Sequence, residues 1–200
     1  MFKYIQLPAH CEAVFLEWIP PLEKETLQHY AGRMSEKINA SESFAIVGLS
    51  MGGMMATEIT KTIKPQITIL ISSIPLSGQL PFYLKAAGAL RLHRMVPLSF
   101  LKSAAVARSL FSLKMTEEKD ILIQTIKESD SHFTRWAMNA ILKWDNEALP
   151  TPYVHIHGTK DRTLPIRFTK PTHIIQHAGH AMVINRAKEI NDILAEVLTA

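Results

Sequence analysis

Six residues constrain this chain more than any other feature: Gly48-Leu49-Ser50-Met51-Gly52-Gly53, set between an apolar run, Phe44–Leu49, and a helical pattern that begins at Met51. A serine flanked by glycines two positions away on each side, where a strand hands over to a helix, has the G-x-S-x-G form of a sharp strand-to-helix turn. The spacing has a steric reason. Such a turn puts the serine at positive φ and presses together the residues two before and two after it, so glycines at 48 and 52 are expected to relieve a clash. The helix that follows aims its N-terminus at the serine. The Met51 N–H and the helix dipole therefore face any oxygen that gains negative charge there.

Around this turn the chain alternates between two patterns. Apolar runs bounded by polar or turn residues recur at Ala13–Trp18, Phe44–Leu49, Ile67–Ile74, Tyr153–Ile156 and His173–Ile175. They are near-continuous, which is the pattern of strands covered on both faces. Between several of them lie stretches of helical period, Glu25–Ile38, Met51–Ile63 and Ala181–Leu198. Strands alternating with helices predict an α/β fold, a mostly parallel sheet with helices on both faces. At 200 residues, 47% of them hydrophobic, the chain has material for one sizeable core and not for two domains.

One block breaks the alternation. From Gly78 to Trp144 there is no good strand, only helical segments punctuated by Pro81, Gly88 and Pro97, the most regular being Asp120–Lys127 and His132–Lys143. So long a stretch exceeds a plain crossover and predicts an inserted helical lid over residues 78–144, on a core of 1–77 and 145–200. Its apolar residues Leu80, Phe82, Phe100, Phe111, Phe133 and Trp136 are expected to line a pocket above Ser50. Its first part, Gly78–Lys114, carries six basic residues and no acidic one, which reads as the solvated face of amphipathic helices.

A serine hydroxyl is a poor nucleophile until a base accepts its proton, and the base needs an acid to orient it. Both lie downstream in the order Ser, Asp, His. The run Tyr153–His157 ends in Gly158-Thr159-Lys160-Asp161, and His173–Gln176 ends in His177-Ala178-Gly179-His180 at the start of the final helical pattern. Parallel strands deliver Asp161 and His180 to the same carboxyl edge as Ser50. After the run Ile67–Ile74 only Ser72, Ser73 and Ser77 are on offer, so no carboxylate competes with Asp161 there. His155 and His157 alternate to one face of a strand and read as strand-packing histidines, not as a metal pair. His173 and His177 read as edge or loop residues.

Several classes are excluded by composition. One cysteine, Cys11, leaves no disulfide framework and no cysteine-rich metal site, and a reduced thiol fits the cytoplasm. No leader-like apolar segment opens the chain and no window reaches the roughly 18 apolar residues of a membrane span. The net charge of +4 comes from 22 basic against 18 acidic residues without a basic tail, a poor footprint for nucleic-acid binding. No metal or cofactor is expected.

Taken together, Gly48-Leu49-Ser50-Met51-Gly52-Gly53, His157-Gly158-Thr159-Lys160-Asp161 with Pro165, and Ala178-Gly179-His180 resemble the α/β-hydrolase superfamily over Cys11–Leu198. The resemblance implies Ser50 as nucleophile, Asp161 as acid, His180 as base and the Met51 N–H as an oxyanion donor. It implies a helical lid after Ile67–Ile74, with Trp18-Ile19-Pro20 near the pocket mouth and a small-molecule acyl substrate. The function expected is a serine hydrolase cleaving an ester or thioester through an acyl-enzyme. The alternative is a weak or inactive member that binds a small ligand or partner through its lid. Members of the superfamily usually open with a strand ending in His-Gly, whose loop gives a second oxyanion N–H. Here Met1–Leu7 resembles the tail of the helix after that strand. The expectation is therefore that Ala13–Trp18 pairs directly with Phe44–Leu49, or that the exposed strand edge pairs with another copy, or that the chain belongs to a longer protein.

Overall fold

The computed structural model describes residues 1–90, 124 and 130–198. Four strands, β1 (Ala45–Leu49), β2 (Ile67–Ile71), β3 (Tyr153–Gly158) and β4 (His173–Ile175), form one parallel sheet in the order β1-β2-β3-β4. The register sets Leu49 beside Ile71, Ile71 beside Ile156 and Gly158 beside Ile175, so the strands end at a common carboxyl edge. Among the described residues the α-helices are α1 (Leu27–Ser35), α2 (Met51–Ile59), α3 (Phe82–Ala89), α4 (Ser131–Leu142), α5 (Met182–Asn185) and α6 (Ala187–Val197). The expected α/β fold with a mostly parallel sheet is the one observed.

Strand alternation divides the core in two. One face of the sheet, with Ile69, Ile71, Val154, Ile156 and Ile175, packs against α5 and α6 through Met182, Val183, Ile190 and Leu194. The N-terminal residues Met1, Phe2, Tyr4, Ile5 and Leu7 pack on the same cluster. They are not helical as expected; Gln6 N–H donates to Asn191 Oδ1 at 3.0 Å and Asn191 Nδ2 donates to the Tyr4 carbonyl, which ties the segment to α6. On the other side α1, α2 and α4 share a cluster of Leu27, Tyr30, Met34, Met54, Met55, Ile59, Leu80, Trp136 and Trp144. Helix α1 starts where the Thr26 hydroxyl accepts from His29 N–H, and its buried positions 27, 30, 31 and 34 follow the helical repeat.

The described parts of residues 78–144 are anchored to this second cluster. Asp130 caps α4 by accepting from Phe133 N–H at 2.7 Å. Trp136 Nε1 donates to the Glu25 carbonyl at 2.9 Å, and Trp144 Nε1 donates to Glu58 on α2 at 2.7 Å. Helices α3 and α4 approach so closely that a Cβ at Gly88 would sit 2.9 Å from the Leu142 Cβ. Phe100, Phe111 and the basic residues from Arg91 to Lys114 lie outside the described residues.

The segment Ala13–Trp18 is a correction. It forms no strand and does not pair with β1; among the described residues β1 pairs with β2 alone. A strand exists through its ladder, and an apolar run without a neighbour has none. Unpaired groups are costly only when buried. Four of the five β1 residues keep partial solvent exposure, so water can serve the outer edge, and direct pairing, one of the three alternatives expected from hydrogen-bond accounting, is not formed.

Candidate active site

The strand-to-helix turn is built as its sequence requires. Ser50 has φ 54° and ψ −120°, and it is locked by its N–H donating to the Ile71 carbonyl at 2.9 Å and by Ser73 Oγ donating to the Ser50 carbonyl at 2.7 Å. A Cβ on Gly48 would overlap the backbone of Gly52 and Gly53, and one on Gly53 would overlap the Ser73 side chain. Gly52 corrects the expectation: a Cβ there meets nothing within 4 Å. The clash is real, but the positions that must stay bare are 48 and 53. Gly52 takes part through its backbone, and its own Cβ direction opens into free space.

Ser50 precedes α2 without capping it through its side chain. Its Oγ instead lies 2.9 Å from His180 Nε2, across 130 residues of sequence. His180 Nδ1 lies 2.7 Å from Asp161 Oδ2. A carboxylate only accepts, so Nδ1 carries the imidazole proton and Nε2 is free to accept from the serine hydroxyl. Asp161 and His180 are 4% and 2% exposed, whereas Ser50 is half-buried and accessible. A buried acid, a buried imidazole and a half-buried hydroxyl in one line can move a proton from serine to histidine. Met51 N–H, the first of α2, has no intrahelical acceptor and points along the helix axis toward this end of the turn.

The loops that carry Asp161 and His180 are fastened to one another. Lys160 N–H donates to the Ala178 carbonyl at 2.8 Å, Thr159 N–H to Ile175, and His177 N–H to Thr159 Oγ1 at 2.8 Å. The approach is so tight that a Cβ on Gly158 would overlap the Ala178 backbone. Asp161 Oδ1 accepts from both Thr163 N–H at 2.9 Å and Leu164 N–H at 2.8 Å, leaving Oδ2 for His180.

His155 and His157 pack on a strand, as expected, but they also touch the site. His157 Nε2 lies 2.8 Å from the Leu164 carbonyl and 3.6 Å from Asp161 Oδ2, and His157 Nδ1 lies 3.1 Å from His155 Nε2. Burial pushes the His155 pKa down to about 3, helped by the neighbouring His157 and opposed by the Ser73 backbone. Burial also lowers that of His157, against the Leu164 carbonyl and Asp161, which favour the charged form, while His180 adds to the lowering. The available signal was the alternation of both histidines to one strand face immediately before the Asp161 loop.

The expected pocket residues are distributed. Trp18, Phe133 and Trp136 cluster around Tyr30 with tilted or edge-on rings, the centroids 4.3 Å apart for Tyr30 and Trp136 and 5.5 Å for Trp18 and Phe133. Leu80 and Trp136 are buried within the core cluster. Phe82 is exposed and meets Tyr83 and Phe168 edge-on. Among the described residues no group of three or more His, Cys, Asp or Glu could hold a metal ion, and no helix is long and apolar enough to cross a membrane.

Comparison with known proteins gives this geometry its setting. No curated protein matches the sequence. Among solved structures the chain is similar to a thermophilic esterase from Thermogutta terrifontis, with 19% identity over 90% of this chain and 74% of that one, at a TM-score of 0.64. It is similar also to a hydrolase from Oleispira antarctica, with 16% identity over 84% of this chain and 70% of that one, TM-score 0.63. A lipase-esterase related protein from Clostridium acetobutylicum gives 13% identity over 84% and 74%, TM-score 0.62. At such identities these likenesses speak for the fold. The sequence pattern of the Alpha/beta hydrolase family, however, matches residues 16–193, nearly the whole chain, and with it the elbow at Ser50 and the loops of Asp161 and His180. The chain belongs to the alpha/beta hydrolase family.

Proposed function

We propose that the protein is a serine hydrolase that cleaves a small ester or thioester through an acyl-enzyme on Ser50. The observation that carries this reading is the unbroken line from Ser50 Oγ to His180 Nε2 at 2.9 Å and from His180 Nδ1 to Asp161 Oδ2 at 2.7 Å. In it Ser50 Oγ attacks the acyl carbon while His180 Nε2 takes the hydroxyl proton. Asp161 holds the tautomer and stabilises the imidazolium. The oxyanion of the tetrahedral intermediate faces the Met51 N–H. His180 then gives its proton to the departing alkoxide or thiolate, and the C–O or C–S bond breaks. A water, deprotonated by His180, attacks the acyl-enzyme, and the acid leaves with Ser50 restored.

Residues 78–144 act in this reading as a lid over the acyl side, with Trp18, Phe82 and Phe133 toward the substrate. Leu80 and Trp136 support them from the core. Self-association through the outer edge of β1 is a second element of the proposal, supported by the lack of a partner on that edge among the described residues. A reducing, cytoplasmic setting suits the free Cys11.

The test is a panel of p-nitrophenyl esters of increasing chain length. The wild type should turn over at least the short esters. Ser50→Ala should reduce kcat by about 10⁴-fold or more while the protein remains folded, since only one half-buried oxygen is lost. Hydrolysis that survives Ser50→Ala would overturn the reading.

A further inference from the structure

We propose that His157 is a positioning residue for Asp161: by donating Nε2–H to the Leu164 carbonyl it fixes the loop whose N–H groups hold one carboxylate oxygen, and so presents the other to His180. This inference rests on the proposed roles of Asp161 and His180.

The hydrogen-bond inventory assigns the protons along the chain of rings. The Leu164 carbonyl is an acceptor only, so His157 Nε2, 2.8 Å away, must be its N–H donor. In the neutral ring Nδ1 is then an acceptor, and it faces His155 Nε2 at 3.1 Å, which must therefore be the N–H of His155. His155 Nδ1 ends the series without a hydrogen bond among the described residues, and although the Ser73 backbone near this ring favours a protonated nitrogen, the obligate acceptor at Leu164 sets the tautomers. Both rings are fully buried.

The consequence falls on Asp161. Leu164 offers its N–H to Asp161 Oδ1 at 2.8 Å and its carbonyl to His157, so the same residue is clamped at both polar groups. His157 Nε2 stands 3.6 Å from Asp161 Oδ2, too far to hydrogen-bond. Oδ2 is thus left to His180 alone among the described hydrogen bonds, at 2.7 Å. A neutral ring is suited to this place, because a cation would compete with the imidazolium of His180 for the same carboxylate.

The test has a readout in the resting protein and one in turnover. In wild type, nitrogen NMR of histidine-labelled protein should report His157 as the neutral Nε2–H tautomer at neutral pH; the Nδ1–H tautomer would overturn the proposal. The far-downfield proton of the His180–Asp161 hydrogen bond should be present. His157→Leu removes the donor and should abolish or shift that resonance and lower kcat on a p-nitrophenyl ester by about ten- to a hundredfold, with KM little changed. His157→Gln keeps an N–H for Leu164 and an acceptor for His155, and should restore both the resonance and kcat. A folded His157→Gln as impaired as His157→Leu, or a His157→Leu with unaltered resonance and kcat, would overturn it. If the wild type hydrolyses no ester, the tautomer and the downfield proton still decide the positioning role, so the two readings fail separately.

Discussion

The loop 159–164 and the segment 12–18 both run without strand or α-helix, yet they are held in opposite ways. The loop is bonded through Thr159, Lys160, Asp161, Thr163 and Leu164 to its own turn and to the β4–α5 connection. Among the described residues, 12–18 has no such bonds, and Val14 and Phe15 are 80% and 71% exposed. Its fastening comes just afterwards, where the Tyr30 hydroxyl both accepts from Ile19 N–H at 2.9 Å and donates to the Ile19 carbonyl at 2.8 Å. The difference teaches that irregular backbone becomes precise where every donor has an acceptor, and that apolar character alone fixes nothing without a neighbour.

The strongest way to break the ordered region is steric. Gly48→Ala or Gly158→Ala should destabilise by about 3 kcal/mol or more, because the added Cβ strikes backbone that cannot move aside. Gly52→Ala should leave stability almost unchanged, since its Cβ enters open space. Denaturant titration of the three variants reads this directly, and equal losses at 48 and 52 would contradict the turn geometry.

An effect of comparable size comes with acid. His155 and His157 are both lowered from an ordinary value of 6.5, His155 to about 3. The unfolded chain therefore takes up protons below about 6.5 that the folded chain refuses, so stability present above that pH is lost as pH falls. Each histidine contributes a slope of about 1.4 kcal/mol per pH unit until its folded pKa is reached. Thermal melts from pH 7.5 to 5 should show it, and His155→Leu should flatten the curve.

At the loosely held segment the expected changes are smaller. Tyr30→Phe removes the clasp on Ile19 and should cost about 1 kcal/mol. Phe15→Ser should alter stability by no more than about 0.5 kcal/mol and should reduce any concentration-dependent association seen by sedimentation. A large loss of stability at Phe15 would show that the segment is packed.

The strands β1 to β4, the elbow and the convergence of Ser50, Asp161 and His180 could be read in the sequence because local pattern and topology agree there. A buried parallel strand must be apolar, and parallel strands bring their following loops to one edge. Ala13–Trp18 was misleading for the converse reason: its composition suits a strand, but pairing depends on a neighbour that no window of sequence contains. The roles of Gly48 and Gly53 against Gly52 depend on which Cβ direction meets backbone, which spacing does not reveal. The contact of His157 with the Asp161 loop needed the turn that folds Leu164 back onto the strand, and its pattern alone suggested only packing.

The central claim is that Ser50 is activated by His180, and labelling with a fluorophosphonate tests it most directly, because only an activated serine is modified at an appreciable rate. Peptide mapping by mass spectrometry should find the adduct on Ser50 in wild type, no adduct on the Ser50→Ala protein, and labelling of the folded His180→Ala protein slowed by orders of magnitude. Labelling at another serine, or equal labelling rates for wild type and His180→Ala, would contradict the account.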